Sequence, residues 1–96
     1  MNFINRIEIQ GRVGSHKIEL GKSGSWGGWF DLHSEGFDGM PAVFDCRVEE
    51  DGKNVEDLGA GIGGKFVKVE GRLIPWDDSF YVHVTKLSIV GGVRDV

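Results

Sequence analysis

The side chains with the clearest chemical potential in this chain are its large aromatic rings. Three tryptophans occur among the 96 residues, and all three fall outside the apolar alternation that would face a core. With one phenylalanine and the single tyrosine they form a candidate set of Trp26, Trp29, Phe37, Trp76 and Tyr81. Exposed flat rings stack on nucleic-acid bases, at about 1–3 kcal/mol for each base. The set therefore predicts a surface that binds unpaired bases.

Basic side chains are predicted at loop or outward strand positions, where they would contact phosphates. The candidates are Lys17, Lys22, Arg47, Lys68, Arg72 and Lys86. Each lysine has an alternative interpretation as a solvated surface charge, and each aromatic ring as a plug at one end of the fold or a subunit contact. Three further rings are predicted to pack in the core and are excluded from the site: Phe44, Phe66 and Phe80.

The net charge of −4 opposes a polyanionic partner, so the distribution of charge decides. Residues 1–24 carry +2, residues 25–57 carry nine acids against two bases, and residues 58–96 carry +1. A locally basic groove is compatible with this pattern only if the acids of the middle third point elsewhere.

No pattern of catalytic, metal-binding or cofactor-binding residues is present in the sequence. His33 and His83 fall on outward strand faces, but no His/Cys cluster with ligand spacing accompanies them. Cys46 falls on an apolar strand face, as expected of a buried, inert thiol. We therefore expect no catalytic residues, no metal, no cofactor, no small-molecule substrate and no enzymatic activity.

Apolar residues alternate with a period of two in five segments, which predicts five strands. The segments are residues 6–13, 29–33, 42–48, 66–73 and 80–84. Residues 21–28 are predicted to form a glycine-rich loop and residues 75–79 a tip, while Val55, Leu58 and Ile62 indicate one short helix between strands three and four. This order predicts an all-β chain, a five-stranded oligonucleotide-binding (OB) barrel over a single domain of residues 1–96.

The cellular location is predicted from what the sequence lacks. One cysteine excludes an internal disulfide and suits a reducing compartment. No apolar run is long enough to cross a bilayer or to serve as a secretory signal. The expectation is a cytoplasmic protein that has no membrane partner.

Two sequence blocks resemble the bacterial and phage single-stranded-DNA-binding protein family, and the similarity spans roughly residues 5–90. Residues 5–14, NRIEIQGRVG, are similar to its opening pattern, and residues 64–73, GKFVKVEGRL, to its strand-four signature. Phe37 and Trp76 lie near positions where the family carries stacking tryptophans. Val43 occupies a family aromatic position, so one stacking ring is absent.

The resemblance implies a non-enzymatic, largely sequence-nonspecific binder of single-stranded DNA in replication, recombination or repair, assembled as a homo-oligomer, a tetramer or a dimer. Cellular members of the family continue into a long tail that closes with an acidic, Phe-terminated peptide. This chain lacks such a tail, which suits a phage, plasmid or accessory member or a shortened chain. The alternative is an OB-fold protein-interaction or assembly module, similar to accessory primosome subunits. A small metal-dependent nuclease is a third hypothesis.

Overall fold

Five strands and one short 3₁₀ turn make up the computed structural model, which describes residues 5–22, 24, 26–49 and 61–91, with Phe37 described in its backbone alone. The 3₁₀ turn is Phe37–Gly39. The strands are β1 (Ile7–Leu20), β2 (Trp26–Glu35), β3 (Pro41–Val48), β4 (Phe66–Trp76) and β5 (Ser79–Gly91).

The strands close into a barrel in the order β1-β2-β3-β5-β4. All neighbours are antiparallel except β3 and β5, which pair in parallel through Cys46 with Val82 and Arg47 with His83. The predicted all-β, five-stranded OB-like barrel is confirmed. The predicted short helix falls largely on residues 50–60, which lie outside the described residues.

The barrel interior is filled by the inward side chains that the alternation predicts. Phe30, Leu32, Cys46, Val69 and the other core residues are buried, and Ile62 joins them from the segment before β4. Burying such side chains contributes roughly 1.5–3 kcal/mol each for the larger aliphatic and aromatic ones. This core fixes which residues of each strand face outward.

β1 is longer than the sequence predicts. A bulge between Val13 and His16 shifts the register, so Ile18 packs against the core although it lies five residues after Val13. Beyond the bulge β1 pairs with the start of β2, and the predicted loop over residues 21–28 is shorter because β2 already begins at Trp26. The extra bulge residue breaks the period of two, which explains why the prediction ended strand one at residue 13.

The hairpin of β4 and β5 extends past the end of the barrel. Pairing continues to Trp76 and Ser79, so the predicted five-residue tip is a two-residue turn at Asp77 and Asp78. Leu73, predicted inward, is 36% exposed, and Phe80, predicted to pack, is 61% exposed. The assignment of Phe66 to the core is also wrong, since it is 40% exposed; Phe44 packs against the core as predicted.

Two glycines allow strands to approach where a side chain would not fit. A Cβ at Gly71 would overlap the carbonyl oxygen of His83, and a Cβ at Gly28, where φ is +143°, would overlap that of Lys17. Each glycine precedes an outward residue of the candidate site, Arg72 or Trp29. The close approaches therefore set the spacing of the surface described below.

Cys46 is fully buried, and burial raises the pKa of its thiol to about 12, with a smaller contribution from the neighbouring Asp45 and Asp31 carboxylates. The thiol is therefore protonated at neutral pH. We expect iodoacetamide to leave the folded protein unmodified at pH 8 and to alkylate Cys46 after unfolding in guanidinium. Equal rates in the two states, followed by mass spectrometry, would contradict this burial.

Within the described parts of the chain, no helix is long and apolar enough to span a bilayer.

Candidate nucleic-acid interface

The cross-strand register places basic and aromatic residues in one row around the outside of the barrel. Lys17 of β1 lies opposite Trp29 of β2, and Trp29 lies opposite Arg47 of β3. Arg47 then pairs with His83 of β5, and His83 with Arg72 of β4. Directly opposed residues have Cβ atoms about 4.5–5.5 Å apart. Neighbouring members of the row are therefore close enough to act on one ligand.

Arg47 is at the centre of the aromatic part of this surface. Its guanidinium carbon lies 4.4 Å from the ring centroid of Tyr81 and 5.7 Å from that of Trp76. The two rings meet edge to face with centroids 6.4 Å apart. Together with Trp29, which lies opposite Arg47 in register, these residues form what we call the aromatic cluster: Trp29, Arg47, Trp76 and Tyr81. In it the Arg47 guanidinium lies over the faces of two rings.

The rings of the aromatic cluster are open to solvent. Trp76 is 60% exposed and Trp29 is 40% exposed, while Tyr81 is partly buried between Trp76 and Arg47. Trp76 and Tyr81 lie on the projecting β4–β5 hairpin, and Trp29 and Arg47 lie on the barrel wall. A flat ligand has access to the rings from the solvent side.

Acidic side chains share this face of the barrel. Asp31 lies directly opposite Asp45, one outward position along from Trp29 and Arg47. Asp45 accepts a hydrogen bond from Arg47 over 3.2 Å, and Glu49 lies 3.9 Å from the Nδ1 atom of His83. The condition set by the sequence, that the middle-third acids point away, is therefore only partly met. On this face the basic side chains lie in the row itself, with Lys17 and Arg72 at its two ends.

The remaining predicted rings lie beside or outside this surface. Trp26 is exposed at the first position of β2, opposite Leu20, and Lys22 is exposed in the turn between β1 and β2. Both belong to the β1–β2 hairpin that also carries Trp29. The side chain of Phe37 lies outside the described part, so its predicted stacking role stays a prediction.

Two predicted phosphate contacts belong to a separate charged network. Lys68 donates to Glu8 across 2.7 Å, and this hydrogen bond lowers the pKa of the Glu8 carboxyl and raises that of the Lys68 ammonium. Arg6 adds a 2.9 Å contact with Glu70, which pairs in register with Lys86. The structure thus places Lys68 and Lys86 on the β1, β4 and β5 side of the barrel, away from the aromatic cluster.

Several exposed residues were missed by sequence reasoning. Phe66 takes an outward position of β4, in alternation with the buried Val67 and Val69, and Phe80 takes an inward position on the part of the β4–β5 hairpin that projects past the barrel, so both rings are exposed. His83 and Arg12 were not singled out as contacts, because an isolated outward side chain carries no local signal. Only the pairing of strands shows that His83 lies between Arg47 and Arg72.

The histidine pair considered as metal ligands is not brought together. His33 lies opposite Arg12 and Val43, whereas His83 lies opposite Arg47 and Arg72. Over the described ranges, no group of three or more His, Cys, Asp or Glu side chains is arranged to hold a metal ion.

A closed five-stranded barrel with a basic and aromatic outer face places this chain among OB-fold proteins. The dimeric N-terminal domain of PriB from Thermoanaerobacter tencongensis is similar to it, with a TM-score of 0.67 and 18% identity over 90% of this chain and 96% of that chain. The mitochondrial single-stranded DNA-binding protein Rim1 from S. cerevisiae is similar in two crystal forms. One form has a TM-score of 0.67 and 16% identity over 98% of this chain and 100% of that chain. The other has a TM-score of 0.68 and 16% identity over 91% of this chain and 96% of that chain. No family model matches the chain, and no curated protein matches it in sequence. At these identities the likeness shows the fold, and it agrees with the fold that the resemblance implied.

Proposed function

We propose that this protein binds single-stranded DNA, without catalysis and with little sequence preference, in DNA replication, recombination or repair. The observation that carries the proposal is the aromatic cluster, in which Arg47 lies against Tyr81 and Trp76 beside Trp29. Single-strand binders combine such rings with cations that follow the backbone. OB folds commonly bind oligonucleotides on the face of strands two and three and on the loops beside it, which is where this cluster lies.

Each part of the cluster has a separate role in the proposed complex. Unpaired bases stack on the solvent faces of Trp76 and Trp29, and stacking accepts any base because every base has a π-face. Arg47, Lys17 and Arg72 contact phosphates, while Asp31 and Asp45 repel the backbone from the adjacent part of the face. The proposed complex therefore follows the row across the strands.

The direct test is a fluorescence titration of the purified protein with oligo(dT). We expect quenching of tryptophan emission and an affinity that falls as salt rises, because phosphate contacts release counterions. Trp76→Ala should weaken binding by about tenfold or more, since it removes one stacking platform. Met40→Ala, which also trims a large exposed apolar side chain, is the matched control and should bind like wild type.

The outcome of this titration also separates the alternatives. Absence of salt-sensitive quenching at micromolar protein would refute the proposal. The competing function is protein docking, which the acidic pair Asp31 and Asp45 would favour through a basic partner. It predicts a copurifying protein and no bound oligonucleotide. A parallel titration with the RNA of matched sequence measures the DNA preference, and cleavage of single-stranded DNA in Mg²⁺ would instead indicate a nuclease.

We propose in addition that the protein acts as a homo-oligomer, a dimer or a tetramer, in the cytoplasm. The dimeric PriB domain supports assembly, because it shares the fold. The free, buried thiol of Cys46 is compatible with a reducing compartment. Light scattering coupled to gel filtration measures the assembly, and a monomer at micromolar concentration would contradict that part of the proposal.

A further inference from the structure

A second aromatic and basic surface lies on the barrel where β1 passes from its partner β4 to its partner β2. It is a shallow groove of about 460 Å³, lined among others by Gln10, Arg12, His33, Ser34, Glu35 and Phe66. We call it the β1 groove. In register, Arg12 lies opposite Phe66 on one side and opposite His33 on the other. One guanidinium is thus flanked by an aromatic ring and an imidazole.

The side chains of the β1 groove are available to a ligand. Phe66 is 40% exposed, and Arg12 and His33 are exposed. Arg12 forms no ion pair with any described acidic side chain, in contrast to Arg6, Arg47 and Lys68. An exposed ring beside an unpaired guanidinium has the chemistry that holds a base and its phosphate.

A continuous path leads to the β1 groove from the aromatic cluster. Residues 9–18 of β1 contain no acidic side chain, and Lys17, His16 and Arg12 are exposed along it. Lys17 itself lies opposite Trp29 of the cluster. Lys17 lies five residues after Arg12, which corresponds to about 15 Å along the strand. A single strand therefore finds cations at both ends of this segment.

The shorter path from the aromatic cluster to the β1 groove, across β2 and β3, is unfavourable for a phosphate backbone because it passes two facing carboxylates. Asp31 and Asp45 lie opposite each other between the row of Trp29 and Arg47 and the row of His33 and Val43. Two facing carboxylates repel a phosphate that would cross them. Glu35 also lines the β1 groove, so a phosphate there is expected at the Arg12 end. The acids thus direct the strand along β1.

From this arrangement we infer that a single DNA strand bound at the aromatic cluster continues along β1 and places one further base on Phe66, with its phosphate on Arg12. The inference rests on the proposed function and extends it by a second contact region. It adds a contact that only an oligonucleotide long enough to reach the β1 groove makes.

The test compares oligo(dT) of increasing length, over about 4–16 nucleotides, the range of OB-fold site sizes. For Phe66→Leu and Arg12→Gln we expect affinity for the longest oligonucleotide to fall about fivefold or more, with little change for the shortest. Arg12→Gln should also lower the salt dependence by about one counterion. Phe66→Tyr keeps the ring and should bind like wild type. Arg6→Gln makes the same substitution at an exposed guanidinium of the separate charged network and is the control.

A direct contact is measured by photocrosslinking. A long oligonucleotide with 5-iodouracil at successive positions should crosslink to the peptide that contains Phe66, and a short one should not. Thermal unfolding of each variant shows that it is folded. If long and short oligonucleotides lose affinity equally, or neither loses any, the β1 groove is not a contact although the proposed function stands. If wild type binds no oligonucleotide of any length, the proposed function itself fails.

Discussion

Replacing Arg47 by alanine should weaken single-stranded DNA binding by about 30-fold, roughly 2 kcal/mol, more than loss of any single lysine. Arg47 supplies a phosphate contact and also lies against Tyr81 and Trp76, so its removal frees both rings to move. The change further leaves Asp45 without its 3.2 Å partner, opposite Asp31. The salt dependence of binding should fall by about one counterion.

The control for this variant separates charge from shape. Arg47→Lys keeps the positive charge but lacks the planar group that stacks on a ring. We expect it to retain the salt dependence and to recover only part of the affinity. Full recovery by lysine would show that the contact with Tyr81 and Trp76 is unimportant, and unchanged affinity in Arg47→Ala would remove this residue from the interface.

Gly71→Ala should destabilise the fold by roughly 2–4 kcal/mol, through overlap in a packed interior. The new Cβ would meet the carbonyl oxygen of His83 at a position where β4 and β5 already shift register. The melting temperature should drop by about 10 °C or more for a chain of this size. Circular dichroism during thermal unfolding measures it.

Gly91→Ala is the matched control, because it lies on the same pair of strands and a Cβ there would have no neighbour within 4 Å. Its φ also lies outside the region that favours glycine. We expect a change within about 0.5 kcal/mol. A large loss at Gly91 together with a small one at Gly71 would show that close strand approach is not what Gly71 permits.

The strands of the barrel could be predicted because each buries one face. Val67 and Val69 in β4, and Phe30 and Leu32 in β2, follow the period of two without interruption. The prediction failed where the backbone departs from that period. The bulge after Val13 moves Ile18 to the core, and the β4–β5 hairpin extends beyond any partner strand, so inward positions such as Phe80 meet solvent.

The candidate site was predictable in its residue types but not in its arrangement. Trp29, Trp76, Tyr81 and Arg47 all belonged to the predicted set, because rings and cations outside the core alternation are visible in the sequence. Their contact depends on strands that are distant in the chain, since β3 lies beside β5 and not beside β4. The pairing of β4 with β1 likewise places Lys68 beside Glu8, away from the cluster.

The continuous pairing of β4 and β5 up to a two-residue turn has a thermodynamic consequence. Trp76 and Tyr81 are carried by hydrogen-bonded backbone, so the protein need not order a mobile loop before a base can stack. Fixing the backbone of a flexible residue costs about 1–2 kcal/mol, and this preorganised hairpin avoids that loss of entropy on association. The ordering penalty of complex formation then falls mainly on the nucleic acid.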